Sequence, residues 1–255
     1  MNYKFDVELK SLQVCGGKRV PDRKAVVRKD NGAVLGIVGN NYKIVPHEQV
    51  INTFDNLSYL KPRGVNVCRE GAILFAQYDF DTKTVDKAEV EVGDVVSFGL
   101  RAFNSYNSQF GVGFELNAHR LKCKNGLVVP KTIARLSIRH FQGVTTQKFS
   151  ELIMAKLPQV DSTIDTWRNW ISIKPSEERI RTFFDESKMG KRLANELIEP
   201  AIANSQDIGV WGIFNTLTYH ITHNLKVRGK EENRMLAVRT KERELLYQFY
   251  NFQWN

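Results

Sequence analysis

Acidic residues are missing between Leu116 and Ser150, a stretch that holds seven Lys or Arg side chains. Cysteine is scarce. Cys15, Cys68 and Cys123 are an odd number, widely spaced and without a CxxC pair, which excludes a disulfide framework and a zinc ribbon or finger. Their expected role is as small buried hydrophobes. No run approaches the length of an uncharged membrane span, and Met-Asn-Tyr-Lys-Phe-Asp-Val-Glu has no apolar signal core, so a soluble intracellular protein with no membrane partner is expected. The Gly-x-x-x-x-Gly-Lys-Ser/Thr loop is absent, as is Gly-x-Ser-x-Gly. These absences exclude a P-loop motor and the serine nucleophile elbow. Gly/Ser-rich linkers are lacking too.

What is present is a 255-residue chain with 42% apolar residues and a formal charge of +9. Up to residue 130 there are 18 basic and 14 acidic residues, and beyond it 19 and 14, so the halves carry +4 and +5 without a basic tail. The excess is local. Arg120, Lys122, Lys124, Lys131, Arg135, Arg139 and Lys148 follow one another with no acid between them. Such a field attracts polyanions, of which a nucleic-acid backbone is the leading candidate. A solvated basic face, an acidic protein and small phosphates are the alternatives.

The first half reads as mostly β. Lys24 to Arg28 and Ala33 to Val38 are strands around the turn Asp30-Asn31-Gly32, and Tyr42 to Val45 is a third. Val50, Phe54 and Leu57 then recur at helical spacing, predicting a helix from His47 to Leu57 just after Pro46. Strands are expected at Asn66 to Tyr78, Val90 to Arg101, Gly111 to Lys124 and Leu136 to Phe141, with Phe103 to Phe110 as a polar hairpin loop. In the strand ending at Lys124, Arg120, Lys122 and Lys124 share one face, and Leu121 and Cys123 the other. The second half reads as helical: Thr145 to Leu157, a helix opened by Pro175-Ser176-Glu177-Glu178, Leu193 to Ile202, Trp211 to Leu225, and Asn233 to Phe249. The fold class is therefore α+β. One domain over 1–255 is expected, strand-rich over 1–143 and helical over 144–255.

Chemistry-bearing clusters are few. His220 and His223, with His140, are a conceivable three-imidazole metal site, but residues 208–230 contain no carboxylate. The plainer reading makes the histidines flank a buried stripe of Trp211, Phe214, Leu217, Ile221 and Leu225. Asp79, Asp81 and Asp86 are the acids a metal-dependent nuclease would use, without the accompanying Glu-x-Lys of the common signature. No cofactor and no resident metal are expected, and a catalytic role less than a binding one. Aromatic residues beside the basic field matter more, since bases stack on rings whatever their identity. Tyr106, placed at a loop tip, is the expected stacking residue, while Phe103 and Phe110 are equally readable as core.

The segments Pro21 to Arg28, Gly36-Ile37-Val38-Gly39 with Tyr42 to Pro46, Arg120 to Gly126, Arg139-His140, and Trp211 to Asn215 with His223 together resemble a family of phage- and plasmid-borne proteins known as a domain of unknown function. The resemblance runs from about residue 20 to 225. It implies a mobile element in a bacterial cytoplasm and assigns no reaction. Relatives usually carry Asn-Ala-Val/Ile-Thr where this chain has Asn215-Thr216-Leu217-Thr218. The β-β-β-α opening is also similar to that of ring-forming single-strand annealing proteins of homologous recombination. That similarity implies a basic groove, outward bases and a homo-oligomeric ring or filament, and transfers no individual residue.

The reading that joins these observations is a single-stranded DNA-binding protein, with strand annealing in recombination as its extension, and with Arg120, Lys122, Lys124, Lys131, Arg135 and Arg139 on phosphates and Tyr106 on a base. Two alternatives remain open: a protein that binds and regulates a host protein, and a metal-dependent nuclease.

Overall fold

The chain alternates between two sets of mutually contacting segments, so no single cut in the sequence separates them. One unit comprises Met1–Thr84, Gly99–Leu116 and Arg135–Ala155, the other Val85–Phe98, Asn117–Ala134 and Lys156–Asn255. The computed structural model describes residues 3–120, 125–128, 135–140, 145–223 and 231–255.

The first unit opens with the antiparallel meander β1 (Val7–Gln13), β2 (Arg19–Arg28) and β3 (Val34–Gly39). Gly36 on β3 lies where any side chain would run into the backbone of Tyr106 and Asn107, so glycine is what permits that close approach. Helix α1 (His47–Asp55) follows Pro46 and buries Val50, Ile51 and Phe54. Strands β4 (Leu60–Cys68) and β5 (Ile73–Phe80) form a hairpin around a left-handed turn at Arg69, Glu70 and Gly71. The C-terminal part of β7 (Asp94–Ser105) pairs with β5, and β10 (Arg135–Ile138) pairs with the start of β8 (Val112–Arg120). One face of these strands packs on α1 and on α2 (Thr146–Met154), joining Phe54, Tyr78, Phe114 and Phe149. The Thr145 hydroxyl accepts from the Lys148 amide and caps α2.

In the second unit β6 (Ala88–Glu91) pairs with the beginning of β7, and β9 (Asn125–Val128) pairs with the end of β8. The helices are α3 (Pro158–Ser172), α4 (Glu177–Glu186), α5 (Lys191–His223) and α6 (Glu231–Asn251). Trp167, Trp170, Trp211, Phe214 and Phe249 interlock as its aromatic centre. Two indoles keep polar partners: Trp167 donates to the Tyr250 hydroxyl at 2.7 Å, and Trp211 to the buried Asp94 carboxylate at 2.9 Å.

The architecture is α+β, with strands concentrated before residue 140 and helices after it. Several details differ from the sequence reading. The opening three strands include Val7–Gln13, whereas Tyr42 to Val45 is not a strand. There the Val45 carbonyl accepts from the Asn104 side chain and the Tyr42 hydroxyl donates to the Ser105 carbonyl, so this segment is held by side-chain bonds instead of a ladder. Pro158 starts a helix. The Leu193–Ile202 and Trp211–Leu225 helices are halves of α5, divided by a kink at Ile208 and Gly209. Cys68 is buried as expected, whereas Cys15 is exposed because it lies in the β1–β2 turn.

Candidate nucleic-acid interface

The acid-free stretch falls into both units: residues 117–134 belong to the second and 135–155 to the first. Arg120 ends β8, opposite Asn125 of β9. Lys122, Lys124 and Lys131 lie outside the described residues, as do Leu121, Cys123 and Phe141; the expectation that Arg120, Lys122 and Lys124 share a strand face therefore falls there as well. Arg135 opens β10 opposite Glu115. Its half-buried guanidinium lies over the Phe103 ring at 4.7 Å and near Phe110 at 5.9 Å, so the cation is directed at rings of its own unit. Arg139 is exposed.

Tyr106 corrects the sequence reading. Its side chain is fully buried, its ring stacks on His47 at 4.1 Å, and its hydroxyl accepts the His47 backbone N–H at 2.8 Å. Burial pushes its hydroxyl pKa up to about 12. No face of this ring is open to a base. The polar sequence around it suggested a loop tip, but β7 runs on to Ser105 and Tyr106 turns inward. Phe103 is likewise buried, against Phe110.

Around Tyr106 the first unit holds a polar network that the sequence did not disclose. Asn104 donates through Nδ2 to the Val45 carbonyl at 2.8 Å and to His47 Nδ1 at 2.9 Å, while His47 Nε2 donates to the Gly71 carbonyl at 2.8 Å. These contacts require the neutral Nε2–H tautomer of His47. Burial lowers its pKa to about 4, against the opposing pull of the Gly71 carbonyl. His140 stacks on Tyr42 at 4.6 Å and is lowered to about 4 by burial as well. The carbonyls of Lys43 and Phe110 face its ring without reaching full hydrogen-bond geometry. A second buried charge site joins β7 to β8, where Arg101 donates to Glu115 at 2.6 Å with both side chains almost wholly enclosed.

The acids weighed for a nuclease are each tied locally. Asp79 faces Arg63 at 3.5 Å, Asp81 accepts from the Lys83 amide, and Asp86 accepts from the Lys87 amide. Among the described residues no three His, Cys, Asp or Glu side chains cluster as metal ligands, the combination of His140 with His220 and His223 included. His220 is buried and its pKa is lowered by that burial. His223 lies at the surface, its ring 4.6 Å from that of the exposed Tyr219. The i, i+4 spacing of Tyr219 and His223 was visible in the sequence, but only the structure shows that this pair faces outward.

No helix among the described residues is long and apolar enough to cross a membrane. No curated protein and no solved structure matches the chain. The family model described as Domain of unknown function (DUF932) matches residues 34–242. That span covers the last strand of the opening meander, the basic stretch and most of the helical half, so the chain belongs to the DUF932 family.

Proposed function

We propose that this protein binds single-stranded DNA. The observation that carries the reading is the acid-free basic stretch from Leu116 to Ser150. Counterion release from phosphates is the main sequence-independent source of affinity for nucleic acid, and it needs clustered cations more than any particular fold. Arg120, Lys122, Lys124 and Lys131 all fall in the second unit and carry the phosphate contacts in this reading. Arg139 and Arg135 belong to the first unit, where Arg139 is exposed and Arg135 is held by its rings. Strand annealing, ring or filament assembly and a phage or plasmid origin belong to the same reading. They rest on the β-β-β-α opening and on the resemblance of the motifs.

The test is a salt titration with a fluorescent, unstructured single-stranded DNA oligonucleotide, run beside duplex DNA and RNA, on wild type and Lys122→Glu. Four phosphate contacts on a single strand give a log–log salt slope of about −3. Lys122→Glu lowers affinity and makes that slope shallower. A flat salt response, or a Lys122→Glu variant that binds as wild type does, overturns the proposal. Single-strand binding that passes this test makes annealing of complementary oligonucleotides the next assay.

A further inference from the structure

We infer that the Tyr219–His223 ring pair on α5 is the base-stacking contact for the single strand, in the role that Tyr106 cannot fill. This inference rests on the proposed single-strand binding and assigns it a second, non-ionic component.

From Val210 to Ile221, α5 is otherwise enclosed. Val210 to Thr218, His220 and Ile221 are buried, and Tyr219 alone interrupts them, at 47% exposure. Core packing therefore does not account for an aromatic residue at this position. Tyr247 on α6 is the other strongly exposed aromatic side chain among the described residues, but the exposed Glu244 lies three residues before it on the same helix. Tyr219 stands in a stretch, 208–230, without an acid, followed by Lys226, Arg228 and Lys230. Its ring lies 4.6 Å from that of His223, inclined at 44°. A ring already held against a neighbour has less rotamer freedom to lose when a ligand lands on it.

β9, whose first residue pairs with Arg120, packs against α5. The second unit thus includes both this ring pair and the sequence positions of Arg120, Lys122, Lys124 and Lys131. Stacking on a ring is sequence-tolerant, as a binder of arbitrary single strands requires.

The experiment compares a base-bearing oligonucleotide with an abasic one of equal length, so that phosphate number is constant and bases are the variable. Affinities are measured for wild type, Tyr219→Ala and Tyr219→Phe. Wild type should prefer the base-bearing strand by about tenfold, the value of one stacked base. Tyr219→Ala should lose most of that preference with its affinity for the abasic strand unchanged, and Tyr219→Phe should keep it. Photocross-linking of an iodouracil-substituted strand should label the peptide containing Tyr219 and His223. If wild type binds strongly but equally with and without bases, or if Tyr219→Ala keeps the full preference, the stacking inference fails and the phosphate reading stands. If wild type binds neither strand, both fail. A Tyr219→Ala variant that weakens both strands equally makes the ring pair a support for the helix, which also overturns the inference.

Discussion

Two histidines are held neutral inside the first unit, and that has a consequence for pH. His47 and His140 have folded pKa values of about 4, against about 6.5 for an unperturbed imidazole. Below about pH 6.5 the unfolded chain takes up protons that the folded one does not. Stability is therefore complete above that pH and falls as pH drops towards 4, by up to about 3 kcal/mol for each histidine. His140→Phe keeps an aromatic ring against Tyr42 and removes one titrating group. Urea unfolding at pH 7.5 and pH 4.5 should show a smaller acid-induced loss in His140→Phe than in wild type, with little change at pH 7.5. The Arg101–Glu115 pair makes a second test at this scale. Glu115→Leu leaves an enclosed guanidinium without its carboxylate and should cost about 3–5 kcal/mol, whereas the double change to Met and Leu should recover much of it. Sequence inspection finds neither site. His47, Asn104 and Glu115 look like ordinary strand and helix residues, and what makes them unusual is burial and partners brought from distant positions.

Among the elements, the kink of α5 depends on one backbone position. Gly209 has φ 57° and ψ −143°, a region that residues with a side chain avoid. A methyl group there would meet the Ile173 carbonyl and come within 2.6 Å of the Trp170 carbonyl. The surrounding carbonyls are nevertheless satisfied: Val210 donates to Ile173, and Lys174 donates through Nζ to Gln206 and Asp207 at 2.9 and 2.6 Å. Gly209→Ala should cost about 3 kcal/mol or more through strain and displacement. Lys174→Met should cost about 1–2 kcal/mol by releasing two helix-end carbonyls. Thermal or urea unfolding checks both. Helices with a clear apolar stripe were legible, as α1 and the side-chain-capped α2 and α4 show. α3 was obscured by Pro158, which occupies the first helical position that proline suits, and its stripe of Val160, Ile164 and Trp167 is plain once the start is known. β1 was missed because none of its side chains is fully buried; its identity as a strand comes from pairing with β2.

For the whole molecule, the interleaved chain path bears on how a truncation would behave. Each unit takes segments from three parts of the sequence, so a fragment ending near residue 143 leaves both units incomplete. Such a fragment, and its C-terminal complement, should each lack the cooperative unfolding transition of the full chain when followed by circular dichroism. A sharp transition in either fragment would show that the sequence-based division into strand-rich and helical portions is also a division of folding.

The sequence by itself determined the α+β class, the turn at Asp30-Asn31-Gly32, the capped helices and the one-sided charge of Leu116 to Ser150. Each of these is a local property of neighbouring residues. The tertiary structure decided which aromatic rings are accessible. Phe103, Tyr106 and Phe110 stand beside cations in sequence, yet Phe103 and Tyr106 are enclosed and Phe110 packs on Phe103, while Tyr219, distant in sequence and set in a helix read as core, faces outward. Exposure depends on what the rest of the chain lays over a residue, and no local pattern records that.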